Sequence, residues 1–275
     1  MRIVCGLFGW AVLLAGGQGP EFSFGVVADV QYADQDSAMG REYRESAGKL
    51  ERCVSLLNKE RLEFVVQLGD LVDGGSGNLR VIRRVFEKTR ARRYDVLGNH
   101  DREVMVGKME RPYYEFGVKG WRFVVLDGMG ETGRGTLEKL KAEGAVNAQS
   151  WNGAVGEVQR EWLRGVLREA SERKERAVVF CHFPVLPESC RPEHLLWDYR
   201  EVLEILDGAP AVAAYMNGHD HRGGYGVGKG VHYLTLPGMV EHEGSQSCQV
   251  VDVYAGALVV RQAGDGSGRA MKMKD

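Results

Sequence analysis

The feature that most narrows what this chain can fold into is an arrangement that occurs five times. A run of apolar, often β-branched residues ends in a short polar segment that displays Asp, Asn, Gln or His. The segments are Asp29-Val30-Gln31, Gly69-Asp70-Leu71-Val72-Asp73-Gly74, Gly98-Asn99-His100-Asp101, Cys181-His182-Phe183-Pro184 and Gly218-His219-Asp220-His221. A short apolar run closed by turn residues reads as a buried strand. Polar groups at the carboxyl ends of strands in an α/β sheet converge on one rim, where such folds place their sites. One such segment is an ordinary turn or a satisfied core histidine; five of them describe a site.

Strands are predicted at 22–28, 64–68, 94–97, 121–126, 177–181, 211–216, 231–236 and 249–254, with 257–261 as a closing hairpin partner. Helical spacing separates several of them. Tyr43, Ala47, Leu50, Val54 and Leu57 make one apolar stripe, and Val81, Ile82, Val85 and Phe86 a second. Val158, Trp162, Leu163, Val166 and Leu167 make a third, and Tyr199, Val202, Leu203 and Leu206 a fourth. Strands alternate with helices early and dominate late, which predicts a mixed sheet, or two sheets face to face, flanked by helices. Residues 128–152 lack a strand pattern and read as an inserted loop with a short helix at 137–143.

With 44% hydrophobic residues in 275, the chain can bury a large core without staples, as one α/β domain over 22–265 followed by a short polar tail at 266–275. Lys and Arg number 36 against 38 Asp and Glu, so no general electrostatic attraction to nucleic acid is expected. The five cysteines, Cys5, Cys53, Cys181, Cys190 and Cys248, form no CxxC pair and no regular spacing, so a disulfide framework is not expected. Cys181 and Cys190 are the pair near enough in sequence to bridge, with free or buried thiols as the expectation. Residues 1–17 read as a signal peptide: Arg2, an apolar stretch, then Ala15-Gly16-Gly17. That implies a secreted or periplasmic protein if the segment is removed, and a cytoplasmic one if it is instead a first strand. The stretch is short for a membrane span, and no other segment is apolar enough for one.

Carboxylate, amide oxygen and imidazole together suit divalent ions such as Mn, Fe or Zn rather than a thiolate site. In Asp29-Val30-Gln31 and His219-Asp220-His221 the i, i+2 spacing puts both donors on one side if the backbone is extended.

From Phe24 to about His221 the sequence resembles the calcineurin-like metallophosphoesterase superfamily, whose pattern is D-x-H, GDxxD, GNHD or GNHE, an isolated H, and GHxH. The resemblance implies a four-layer α/β/β/α sandwich of two mixed sheets flanked by helices. It also implies two divalent metal ions, Mn first with Fe or Zn as alternatives. Asp29, Gln31, Asp70 and His221 would hold one ion; Asp70 as the bridge, with Asn99, His182 and His219, would hold the other. His100 would assist the leaving group or bind a phosphate oxygen. Asp73 would orient a neighbour such as His100 or His182. Two cations roughly 3.5–4 Å apart share and acidify a water, giving a hydroxide that attacks phosphorus.

Gln31 departs from the common pattern, which has His there. With Phe24-Gly25-Val26-Val27-Ala28-Asp29-Val30-Gln31-Tyr32-Ala33-Asp34, Trp151-Asn152-Gly153, Trp197-Asp198-Tyr199, the run from Gly218 to Tyr225, Gly230-Val231-His232-Tyr233 and Gly238-Met239-Val240-Glu241, it is similar to the manganese-dependent ADP-ribose/CDP-alcohol diphosphatase subgroup. A small nucleotide or phosphoester is then the expected partner, with the oligomeric state left open. A broad phosphomonoesterase or cyclic-nucleotide phosphodiesterase on the same centre, or a scaffold without catalysis, are the competing readings. His194, His232 and His242 fall outside the five segments and are expected to be structural. Trp151-Asn152-Gly153 reads as a pocket edge or a plain turn.

Overall fold

The computed structural model describes residues 19–241 and 247–274. The targeting reading of residues 1–17, and His242, lie outside the described residues. The elements in chain order are β1 (Phe22–Val27), α1 (Ser46–Leu57), β2 (Phe64–Gln67), α2 (Ser76–Phe86), β3 (Arg92–Asp95), α3 (Arg102–Met105), β4 (Tyr114–Val118) and β5 (Trp121–Val125). There follow α4 (Arg134–Ala142), α5 (Glu157–Glu172), β6 (Arg176–Phe180), α6 (Tyr199–Asp207), β7 (Val212–Asn217), β8 (Gly224–Gly228), β9 (Val231–Thr235), β10 (Cys248–Tyr254), β11 (Ala257–Gln262) and β12 (Gly268–Lys272).

The strands form two six-stranded mixed sheets, ordered β12-β11-β10-β1-β2-β3 and β4-β5-β6-β7-β9-β8. Their inner faces meet over an aromatic core in which Phe24, Phe64, Phe123 and Phe180 are fully buried. Phe24 stacks on Phe64 at 4.8 Å, and Phe123 meets Phe64 edge-on at the same distance. Burying one such ring contributes on the order of 3 kcal/mol. A second core joins the first sheet to α1 and α2 through Leu50, Val54, Leu57, Ile82 and Phe86. A third joins the other sheet to α5 and α6 through Leu163, Val166, Leu167, Val202 and Leu206. This is the four-layer α/β/β/α sandwich.

The helical stripes hold except at their margins: Val158 of α5 is 79% exposed and Val81 of α2 46% exposed. Three strands escaped the sequence reading: β4, β8 and β12. All three are sheet edges, and β8 reads Gly-Tyr-Gly-Val-Gly. An edge strand with one solvated face needs no apolar run, so no run announces it. Residues 268–272 are thus not a polar tail; they pair antiparallel with 257–261. No helix among the described residues is long and apolar enough to cross a membrane.

The cysteine expectation is also corrected. Cys53 of α1 is bonded to Cys248 at the start of β10, while Cys181 and Cys190 are free. The partners lie 195 residues apart, so no local spacing signals them; the fold brings the helix over the sheet.

What positions the site is strand direction. β1, β2 and β3 run parallel to one another, as do β5, β6 and β7. Four of the polar segments follow the carboxyl ends of β1, β2, β6 and β7, and the fifth begins three residues beyond β3. All five open on one rim.

Closing so long a loop with a covalent bond restricts the unfolded chain. Replacing Cys53 and Cys248 with Ser is therefore expected to lower unfolding stability by about 2–5 kcal/mol. Urea unfolding of oxidised protein and of the double variant should show the difference; coincident curves would contradict it.

Candidate metal centre

The five segments bring Asp29, Gln31, Asp70, Asn99, His182, His219 and His221 together. Asp70 sits at the middle. Its Oδ2 accepts a hydrogen bond from Gln31 Nε2 (3.1 Å) and lies 3.1 Å from His182 Nε2. Its Oδ1 accepts the His100 backbone N–H (2.9 Å). On one side, Asp29 Oδ1 is 3.3 Å from His221 Nε2 and 3.9 Å from His182 Nε2. On the other, His182 Nε2 meets Asn99 Oδ1 and His219 Nδ1, each at 3.2 Å. Asp70, His182 and His219 each offer a ligand atom within 4.8 Å of the others.

The backbone that presents these groups is kinked rather than extended. Asp29, Gln31, Asp70 and His219 have φ of 51°, 44°, 54° and 67°. They are four of the eight non-glycine residues with positive φ among those described. Each such residue costs on the order of 1–3 kcal/mol unless its surroundings fix it. Here they do: Gln31 N–H donates to the Asp70 carbonyl (2.8 Å) and Val240 N–H to that of Asp29 (2.9 Å). The i, i+2 donors therefore reach the centre through left-handed turns, not along an extended strand.

The glycines of the segments exist for closeness. A Cβ on Gly98 would lie 2.1 Å from Asp70 Oδ1, and one on Gly218 2.2 Å from Asp29 Oδ2. Any side chain at either position would displace a central carboxylate. Asp101 ties two of the loops, accepting from Leu71 N–H (2.8 Å) and Gly98 N–H (2.9 Å).

Hydrogen bonds outside the cluster select which imidazole nitrogen faces in. His182 Nδ1 donates to the Leu68 carbonyl (2.8 Å), leaving Nε2 inward. His219 Nε2 donates to Asn152 Oδ1 (2.9 Å), leaving Nδ1 inward. His221 Nδ1 meets Glu241 Oε1 (3.1 Å), with Nε2 toward Asp29. Partners of this kind fix ring orientation at metal sites.

Asn152 and Glu241 lay inside stretches quoted for the resemblance, but their roles had no sequence signal. Their partners are 67 and 20 residues away, so only the fold pairs them. Asn152 Nδ2 also donates to the carbonyls of Asn147 and Glu193, and Trp151 beside it is 45% exposed. Asp220, between two inward histidines, turns away to bind Arg191 through its backbone N–H, Nε and Nη2. His194, set aside from sequence, lies with its ring 5.1 Å from that of His219. His232 bonds Tyr225 and the Lys272 carbonyl, away from the cluster.

Burial disfavours charge throughout, and the histidines divide accordingly. Burial opposes protonation of His182, but the adjoining Asp70 and Asp29 outweigh it and raise the imidazole to about 9. Against the same burial, Asp29 and Glu241 raise His221 to about 10. Burial and the charge of His182 push His219 well below its ordinary value. Asp70, although buried, is held well below the carboxylate range by His182 and His100. His100 is raised against its burial by Asp73, whose Oδ1 is 3.1 Å from its Nδ1, and by Asp70.

The donor set fits a divalent ion on a further point. Gln31 Oε1 is buried beside Asp70 and has no hydrogen-bond partner among the described residues. A buried carbonyl oxygen left unbonded costs about 1–3 kcal/mol, and an amide oxygen is a ligand for hard divalent cations.

Comparison with known proteins agrees with this geometry. The model of the calcineurin-like phosphoesterase family matches residues 22–223. A manganese-dependent ADP-ribose/CDP-alcohol diphosphatase of Oryza sativa subsp. japonica is 34% identical over 299 residues, covering 90% of this chain and 93% of its own. Its counterpart in Arabidopsis thaliana is 34% identical over 289 residues, covering 87% and 93%. A crystal structure of a dimetal phosphatase from Danio rerio superposes with a TM-score of 0.82 at 26% identity, covering 93% of this chain and all of that one.

Two outcomes are expected. A metal ion entering at His182 and His221 displaces protons from raised imidazoles, so its affinity should climb as pH rises toward about 9. Calorimetric titration in buffers of different ionisation enthalpy should register proton release at pH 7.5; none would contradict the assignment. Asn152→Ala should weaken metal binding by about 10–100-fold, read by titration of the folded variant.

Proposed function

This chain belongs to the calcineurin-like phosphoesterase family, and on that premise we propose that it cleaves the diphosphate of nucleoside-diphosphate compounds of the ADP-ribose or CDP-alcohol type. The observation that carries the substrate reading is the likeness to relatives of that name over about nine-tenths of the chain. Gln31 supports it: the residue that departs from the common pattern places beside the central carboxylate an amide oxygen with no partner among the described residues.

The chain is a hydrolase, and the residues divide as follows. Asp29, Gln31, Asp70 and His221 would hold one divalent ion, and Asp70, Asn99, His182 and His219 the second, with manganese the ion that a hard amide and carboxylate set favours. Such ions, when bound, acidify water and offset phosphate charge. Asp70 would be the shared carboxylate, since its Oδ2 touches both Gln31 of one set and His182 of the other at 3.1 Å. His100 is the acid. Asp73 engages its Nδ1, and the two nearby carboxylates favour its protonated form. It can therefore bind a phosphate oxygen or donate a proton to the leaving oxygen. A phosphate monoester leaves with little proton help, so that donation matters more for alkoxide leaving groups.

We also propose export from the cytoplasm. The signal-like residues 1–17 support it, and so does a buried disulfide, a bond typical of oxidising compartments.

A panel of ADP-ribose, CDP-choline, cyclic AMP and an aryl phosphate, assayed with manganese, tests the substrate class. Preference for the first two is expected; preference for the aryl ester or the cyclic nucleotide, or no turnover at all, would overturn it. His100→Ala should keep its metal and lose turnover by about 10²–10⁴-fold, whereas Asp70→Ala should lose both. Equal metal loss in the two variants would sink this division of roles.

A further inference from the structure

The two sheets diverge beside His221 and leave a crevice of about 730 Å³ between β8–β9 and β10–β12. We propose that this crevice is an anion-binding subsite for the phosphate-bearing half of the substrate that extends beyond the metal centre. The proposal rests on the diphosphate reading above.

Its position follows from chain order. Arg222, which immediately follows His221, forms part of the wall, as does Pro237. Pro237 precedes Gly238, where a Cβ would strike the His221 ring at 2.6 Å. The crevice thus starts at the flank of the cluster. β8 and β12 are edge strands, so no further strand among the described residues closes the opening. The size lies within the roughly 300–1,000 Å³ usual for small-molecule sites.

Its charge is unbalanced. Three arginines line it, Arg222, Arg261 and Arg269. Arg261 is committed to Glu60 and Asp252. Arg222 has no side-chain hydrogen bond or ion pair among the described residues, and the Arg269 guanidinium lies over the Tyr225 ring, 4.1 Å from its centroid. A ring face orients a cation without cancelling its charge. Among the described residues, Asp265 is the only carboxylate in the lining, and its oxygens already accept from the Ser267 N–H and hydroxyl.

The wall is also braced. Tyr225 hydroxyl and His232 Nδ1 are 2.8 Å apart, and His232 Nε2 donates to the Lys272 carbonyl of β12 (2.7 Å). This relay crosses from one sheet to the other and ties β12, which carries Arg269, to β8 and β9, the strands that follow Arg222. Arg222 and Arg269, neither in an ion pair among the described residues, suit the phosphate oxygens of the diphosphate or of the monoester it releases, which take forked N–H donors.

The test uses full-length, manganese-loaded enzyme with AMP as the probe, inhibiting hydrolysis of bis(p-nitrophenyl) phosphate. Arg222→Gln and Arg269→Gln should each raise the AMP inhibition constant by about tenfold, the loss expected for one charge-assisted hydrogen bond. KM for ADP-ribose should rise by a similar factor with kcat changed far less, the signature of lost uniform binding. Arg269→Lys, keeping the charge but not the fork, should fall between. Thermal melts and metal content establish that each variant is folded and loaded. AMP inhibition within about twofold of wild type in both Gln variants would overturn the subsite. Failure of the wild type to cleave ADP-ribose, with AMP inhibition still sensitive to the arginines, would overturn the diphosphate reading and leave the subsite standing.

Discussion

A carboxylate out of contact with water is tolerable only where positive charge and hydrogen-bond donors surround it, and Asp70 imposes that requirement on the whole molecule. It is 1% exposed. His182, Gln31 and the His100 backbone answer it directly. Each answer comes from a different strand end, so both sheets must be registered to within a fraction of an ångström at the rim. The aromatic core between them supplies that rigidity: packed rings do not slide without opening voids. Removing one partner from such a cluster leaves an uncompensated buried charge, which costs far more than a surface ion pair contributes.

The kinked residues carry the same constraint into the backbone. Aspartate tolerates the left-handed region better than most side chains, and Asp29 and Asp70 both lie there. His219 shares that tolerance, whereas Gln31 adopts the region with less intrinsic ease. Strain of this kind persists where neighbouring hydrogen bonds determine the conformation, and it gathers at functional sites. Here each kink follows a buried strand and is pinned by a bond to another loop of the same rim.

Much of this was legible in the sequence because the signals are local. A strand, a turn and two ligand-type side chains fit within about ten residues, so all seven central donors and the helix stripes could be read in one pass. The edge strands β4, β8 and β12 could not, since β8 is more than half glycine and β12 mostly exposed. Nor could pairings made by the fold alone: Cys53 with Cys248, Asn152 with His219, Glu241 with His221. In each case one partner looks unremarkable where it stands. The i, i+2 spacing was a correct pointer with an incorrect mechanism, because spacing counts residues and does not report the sign of φ.

The cross-link between α1 and β10 has a mechanical meaning. Cys248 pairs in register with Val27, two residues before Asp29, and Lys49, one turn earlier on α1 than Cys53, donates to the carbonyls of Met239 and Val240 just ahead of Glu241. Helix, strand and loop are clamped at one corner of the rim. The opposite corner, with His182, Asn152 and the insert whose α4 buries no side chain, has no covalent brace among the described residues. Any loosening of the mouth would then fall to the insert that carries α4, giving the mouth a fixed jamb and a single looser leaf.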